Sequence, residues 1–102
     1  MDTKTILSQA KARFSHNQNK EYLKNKYEAK LLIANQGGLW KITPELITFL
    51  ASEDTIGIIL TDNYGHPVVV RNRLELFTLA QTTYNDVMQA WVKELRELEN
   101  NR

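Results

Sequence analysis

Hydrophobic positions along the chain change their spacing twice, and each change marks a change of element. In the first segment Ile6, Leu7, Ala10 and Phe14 recur at helical spacing, with Asp2 or Thr3 standing where an N-cap belongs. The run Ser15-His16-Asn17-Gln18-Asn19 then predicts a break, because Ser and Asn side chains compete for backbone hydrogen bonds. Asn19 is placed to cap a second short helix, with Tyr22, Leu23 and Tyr27 on its buried side.

After Lys30 the helical period gives way to short apolar runs. Leu31-Leu32-Ile33-Ala34 predicts a strand, Asn35-Gln36-Gly37-Gly38 a turn, and Leu39-Trp40-Lys41-Ile42 a returning strand with Trp40 and Ile42 on one face. Thr43-Pro44-Glu45 reads as a helix start: a hydroxyl cap, proline in the first turn, and an acid where the helix is positive. Leu46, Ile47 and Leu50 form its inner stripe, and Ser52-Glu53-Asp54 ends it.

The same order then repeats. Ile56–Thr61 predicts a strand, Asp62-Asn63-Tyr64-Gly65 a turn, and Val68-Val69-Val70 a second strand. Asn72 with Glu75 three residues later makes a capping-box arrangement. Two such β-β-α units predict a four-stranded, mostly antiparallel sheet with both helices on one face.

The last helix, expected from about Arg73 to Glu99, is the longest. Tyr84, Met88, Trp91, Leu95 and Leu98 step along it by alternating fours and threes, which is a heptad seam, and Val87 and Val92 widen it. Its second half reaches past a sheet this small, so the seam needs a cover. The two candidates are the N-terminal helix with Ile6, Leu7, Ala10 and Phe14, and a second copy of the chain. Asn100-Asn101-Arg102 is expected to fray.

Composition narrows the function classes. At 102 residues, with 42% hydrophobic and 25% charged positions and a net charge of +1, the chain suits one folded domain rather than a disordered polymer. It has no cysteine, which excludes disulfides and thiolate chemistry. The longest apolar runs are four residues, far short of the ~20 a membrane helix needs. The first residues resemble no signal peptide, so a soluble, intracellular protein is expected.

Charge is unevenly spread: residues 1–30 carry seven basic and three acidic groups, while residues 31–102 carry six and nine. The chain therefore divides into a basic helical segment (1–30) and a ββαββα body (31–102) within a single domain.

Candidate chemistry is sparse. His16 and His66 are the only imidazoles, and neither has an acid or a second His at ligand spacing, so no metal site is expected. No nucleophile elbow and no phosphate-cradling glycine loop is present, since Gly37-Gly38 joins two strands. Glu53-Asp54 and Glu94, Glu97 and Glu99 read as solvated surface rather than a paired-carboxylate site. Neither an enzyme nor a cofactor is expected, and no small-molecule substrate is evident.

Two binding surfaces remain. The seam of Tyr84, Met88, Trp91, Leu95 and Leu98 carries the residue types that dominate protein interfaces. The basic segment, with Lys4, Lys11, Arg13, Lys20, Lys24, Lys26 and Lys30, supplies the cations that bind nucleic-acid phosphates. Its aromatic residues Phe14, Tyr22 and Tyr27 fit buried helix faces, which leaves charge as its main asset.

DTKTILSQAKARFSHNQNKEYLKNKYEAKLLIANQGGLW, with the closing ELRELENNR, resembles small proteins of contractile-tailed, myovirus-like phages that infect marine cyanobacteria. The resemblance implies a phage protein made in the cytoplasm of a bacterial host, either associated with the virion or its assembly or acting on host machinery. It supplies no catalytic or binding residues. The expectation is an α+β fold with N-terminal helices, two hairpin–helix units and a long amphipathic C-terminal helix. The expected work is through protein contacts and self-association, with nucleic-acid binding by the basic segment as the alternative.

Overall fold

A computed structural model describes residues 3–100; the Asp2 cap and the Asn101–Arg102 end lie outside the described residues. The elements run α1 (Thr3–Lys30), β1 (Leu32–Asn35), β2 (Gly38–Lys41), α2 (Pro44–Ser52), β3 (Ile58–Thr61), β4 (Pro67–Val70) and α3 (Arg73–Asn100). The arrangement is α+β, with a long C-terminal helix.

Local signals placed most of these elements. Thr43 is extended (φ −133°, ψ 158°) and its Oγ1 accepts from Leu46 N at 3.1 Å, with Pro44 in the first turn behind it. Asn72 Oδ1 accepts from Glu75 N at 3.0 Å and starts α3. The first hairpin turns through Gln36 (φ 53°) and Gly37 (φ 83°), with Asn35 opposite Gly38; two positive φ values in a two-residue loop match the right-handed twist of the strands. In the second hairpin, Asp62 Oδ1 accepts from Tyr64 N and His66 N, and Gly65 (φ 82°) takes the left-handed position.

Two expectations are corrected. The hairpins do not join into one four-stranded sheet: β1 pairs only with β2 and β3 only with β4, both antiparallel. The free edge of β2 is bonded instead by the second turn. Asn63 N donates to Leu39 O at 2.7 Å, and Leu39 N donates to Asp62 Oδ2 at 3.3 Å. The first turn reaches back across the molecule. Gln36 Nε2 donates to Asn72 O and Gln36 Oε1 accepts from Asn72 N, both at 2.9 Å, so one side-chain amide imitates a strand partner. The second turn thus occupies the outward backbone groups of Leu39 that a further strand would have used.

The N-terminal helices are likewise one continuous helix. Ser15–Asn19 stays helical because α1 lies antiparallel on α3, where His16 is buried and its Nε2 sits 3.1 Å from Glu99 Oε1. Tertiary contact outweighs the few tenths of a kcal/mol per residue by which Ser and Asn disfavour helix.

The core gathers at the hairpin end, around Trp40, Ile42, Leu50, Val70, Leu76 and Ala80, and runs along the helix pair through Leu31, Tyr27, Leu23 and Val87. The molecule measures 65 × 24 × 19 Å with a radius of gyration of 19.3 Å, against about 13 Å for a compact domain of this length. It is a rod with a packed head. No described helix is long and apolar enough to cross a membrane.

Candidate functional site

The rod exists because α1 outruns its partner. Glu99, one residue before the end of α3, meets His16, so the three turns of α1 before His16 project past α3 by roughly 20 Å. Those turns carry Ile6, Leu7 and Phe14, which are 52%, 55% and 64% exposed. Ala10 on the same stripe is exposed as well.

Helical geometry explains why this stripe is not covered. The residues that grip α3 are His16, Leu23 and Tyr27; at 3.6 residues per turn, the Ile6–Phe14 stripe points about 140° away from them. One helix therefore carries two faces in sequence, an inner one along its second half and an outer one along its first. Tyr22, expected inside, lies toward the outer side and is exposed; with Phe14 it borders a shallow groove containing Asn17, Gln18, Glu21 and Asn25.

The predicted α3 seam lies at the root of this arm. Tyr84, Met88, Trp91, Leu95 and Leu98 are half-buried and pack against the core. Trp91 stacks on Tyr27 with ring centroids 6.0 Å apart and planes inclined by 12°. The cover is α1, but through Leu23 and Tyr27 rather than through Ile6, Leu7, Ala10 and Phe14. Beyond the seam, Met88 borders an open groove with exposed Val92, Gln89 and Arg96.

Polar clasps hold the root. Lys26 Nζ lies 2.7 Å from Glu94 Oε1, and Tyr27 donates its hydroxyl to the same oxygen. Lys20 Nζ lies 3.0 Å from Glu99 Oε1. The Lys26 ammonium, then the Tyr27 hydroxyl, hold the Glu94 carboxyl below its ordinary range; Lys20, then His16, do the same for Glu99 against the opposing effect of burial. Lys26 is raised by its bond to Glu94, and Tyr27 by the same carboxylate and by burial. The Lys26 and Lys30 ammonium groups also lie 5.1 and 5.0 Å from the centre of the Tyr27 ring.

Six of the seven cations of the basic segment therefore divide. Lys20, Lys26 and Lys30 serve the helix pair, whereas Lys11, Arg13 and Lys24 are exposed with no ion pair among the described residues. The side chain of Lys4 lies outside what the structure describes.

Near the head, Asp62 is lowered. Burial opposes its charge, but the His66, Leu39 and Tyr64 amides donate to the carboxylate and prevail. These bonds shape the turn. His66 is exposed in the loop, and no group of three or more His, Asp or Glu among the described residues could hold a metal ion. Compared with known proteins, the chain matches no family model, no curated protein and no solved structure.

Proposed function

We propose that this is a small non-enzymatic protein that works through protein–protein contacts, as a virion or assembly component or as an adaptor to host machinery in a phage-infected bacterium. The observation that carries the reading is the projecting half of α1, which holds Ile6, Leu7 and Phe14 open on a helix with no cover for that face among the described residues. Large apolar side chains contiguous on a protruding element mark contact sites, whereas single exposed ones are ordinary. The seam of Tyr84, Met88, Trp91, Leu95 and Leu98 stays within the proposed surface through its outer margin, where Met88 adjoins exposed Val92.

A photo-crosslinking residue at position 14, compared with one at exposed Thr78 on the body, tests the reading in the bacterial cytoplasm. We expect a discrete protein adduct from position 14 that disappears with Leu7→Ser. Adducts equal at both positions, or adducts to nucleic acid alone, would overturn it.

The nucleic-acid alternative gains from one observation: Phe14 and Tyr22 are exposed beside Lys11, Arg13 and Lys24, as base stacking and phosphate contact require. Titration with single- and double-stranded probes at low and moderate salt separates the readings. The alternative requires binding that weakens steeply with salt and is lost on reversing Lys11, Arg13 and Lys24 to Glu.

A further inference from the structure

The ends of the rod carry opposite chemistry. From Thr3 to Lys20 the chain holds four basic residues and no acid. On the arm itself, exposed Lys11 and Arg13 fall on opposite flanks of the Ile6–Phe14 stripe, so its apolar face is bordered by cations on both sides. The far end is formed by α2 and the segment that follows it. From Pro44 to Ile56 the chain holds three acids, Glu45, Glu53 and Asp54, and no base.

That far end is apolar as well as acidic. Phe49 is 42% and Ile56 80% exposed, with Glu45 and Asp54 exposed around them. Two bases adjoin it: the Arg73 guanidinium is committed to the carbonyls of Leu50 and Thr55, and exposed Arg71 runs alongside Gly57, which leaves three acids against one uncommitted cation. The two ends lie far apart. Arg73 N donates to Ile56 O at the N-terminal end of α3, whereas the arm leaves α3 at Glu99, the other end of a helix about 42 Å long. No arm can reach the acidic end of its own molecule.

We propose that the arm docks on the α2 end of a second copy of the chain, so that molecules join head to tail. This rests on the arm being the contact surface and names its occupant. Charge decides between this and arm-to-arm pairing: two arms would set Lys11 and Arg13 against their own copies, whereas α2 offers Glu45, Glu53 and Asp54. Each molecule then uses both ends at once. The contact is heterologous and propagates into a ring or filament rather than closing as a symmetric dimer.

Sedimentation equilibrium of the full chain over a wide concentration range, at low and high salt, tests the proposal. The weight-average mass should climb past the dimer at low salt and fall back toward the monomer as salt rises. One variant, Leu7→Ser with Phe14→Ser, removes the arm's apolar face; another, Phe49→Ser with Ile56→Ser, removes that of the far end. Leu7, Phe14 and Ile56 are more than half exposed, so the arm variant should keep the wild-type thermal midpoint; Phe49 is more than half covered, so the far-end variant should melt somewhat lower and is compared below its own midpoint.

Alone, each variant should remain monomeric, because each has lost one of the two faces. Mixed, they should form a one-to-one dimer that grows no further, since each retains the face the other needs. Assembly of the α2 variant like wild type, with loss only in the arm variant, would overturn the proposal in favour of arm-to-arm pairing. A chain monomeric at every concentration would overturn it too; a persisting position-14 protein adduct would then show that the arm serves a different protein.

Discussion

At the scale of single residues, the head depends on a close approach that only glycine allows. The Trp40 ring lies over Gly38, where an added Cβ would come within 2.6 Å of it, and Trp40 Nε1 donates to Asn35 O at 2.9 Å. Because Trp40 is buried and bonded, it cannot swing aside. Gly38→Ala should destabilise the protein by about 1–3 kcal/mol, the usual cost of overpacking, as measured by denaturant unfolding. A neutral result would mean the indole is free to move.

Glu94 offers a different test, because its worth depends on pH. Its carboxyl is lowered in the folded protein, so its stabilisation is present above the ordinary value of 4.5 and is lost as pH falls through the folded value. Lys26 is raised, so its share is present below 10.5 and is lost as pH rises through its folded value. Glu94→Gln should therefore lower the thermal midpoint in the neutral range, and the gap from wild type should close at acid pH once Glu94 itself is protonated. A gap of constant size from neutral to acid pH would count against the clasp.

At the scale of elements, α1 is one helix with two environments. Leu23 is buried against α3 while Phe14 stands in solvent. Leu23→Ala should cost about 2 kcal/mol or more, whereas Phe14→Ala should stay within about 0.5 kcal/mol, both read by denaturant unfolding. Equal costs would mean that the first half is covered after all.

The hairpin–helix units were legible because their signals are local: alternation, turn residues, and caps at Thr43 and Asn72. Continuity through Ser15–Asn19 was not, because Glu99, which holds His16, lies 83 residues away in sequence. The separation of the sheets was equally hidden. At the β2 edge the Asp62 turn bonds Leu39, a contact between segments that no periodicity links. The exposure of the first half of α1 was hidden as well: the Ile6–Phe14 stripe is plain in the sequence, where it reads as a cover for α3, but its direction relative to Leu23 and Tyr27 acquires meaning only once α3 marks which side is inside.

At the scale of the whole molecule, the account turns on shape. A rod of 65 Å whose core runs from the hairpins along the helix pair only as far as Leu23 and Leu98 leaves the projecting half of α1 with little to hold it. A helix of about 13 residues without tertiary cover is marginal in water, so the arm should open far more readily than its root. Amide hydrogen exchange on the dilute full chain measures this directly. The account predicts rapid exchange for residues 6–14 and slow exchange for residues 20–30 of the same helix. Uniform, slow exchange along all of α1 at the same dilution would contradict it, because the first half would then be packed within the monomer and unavailable for contact.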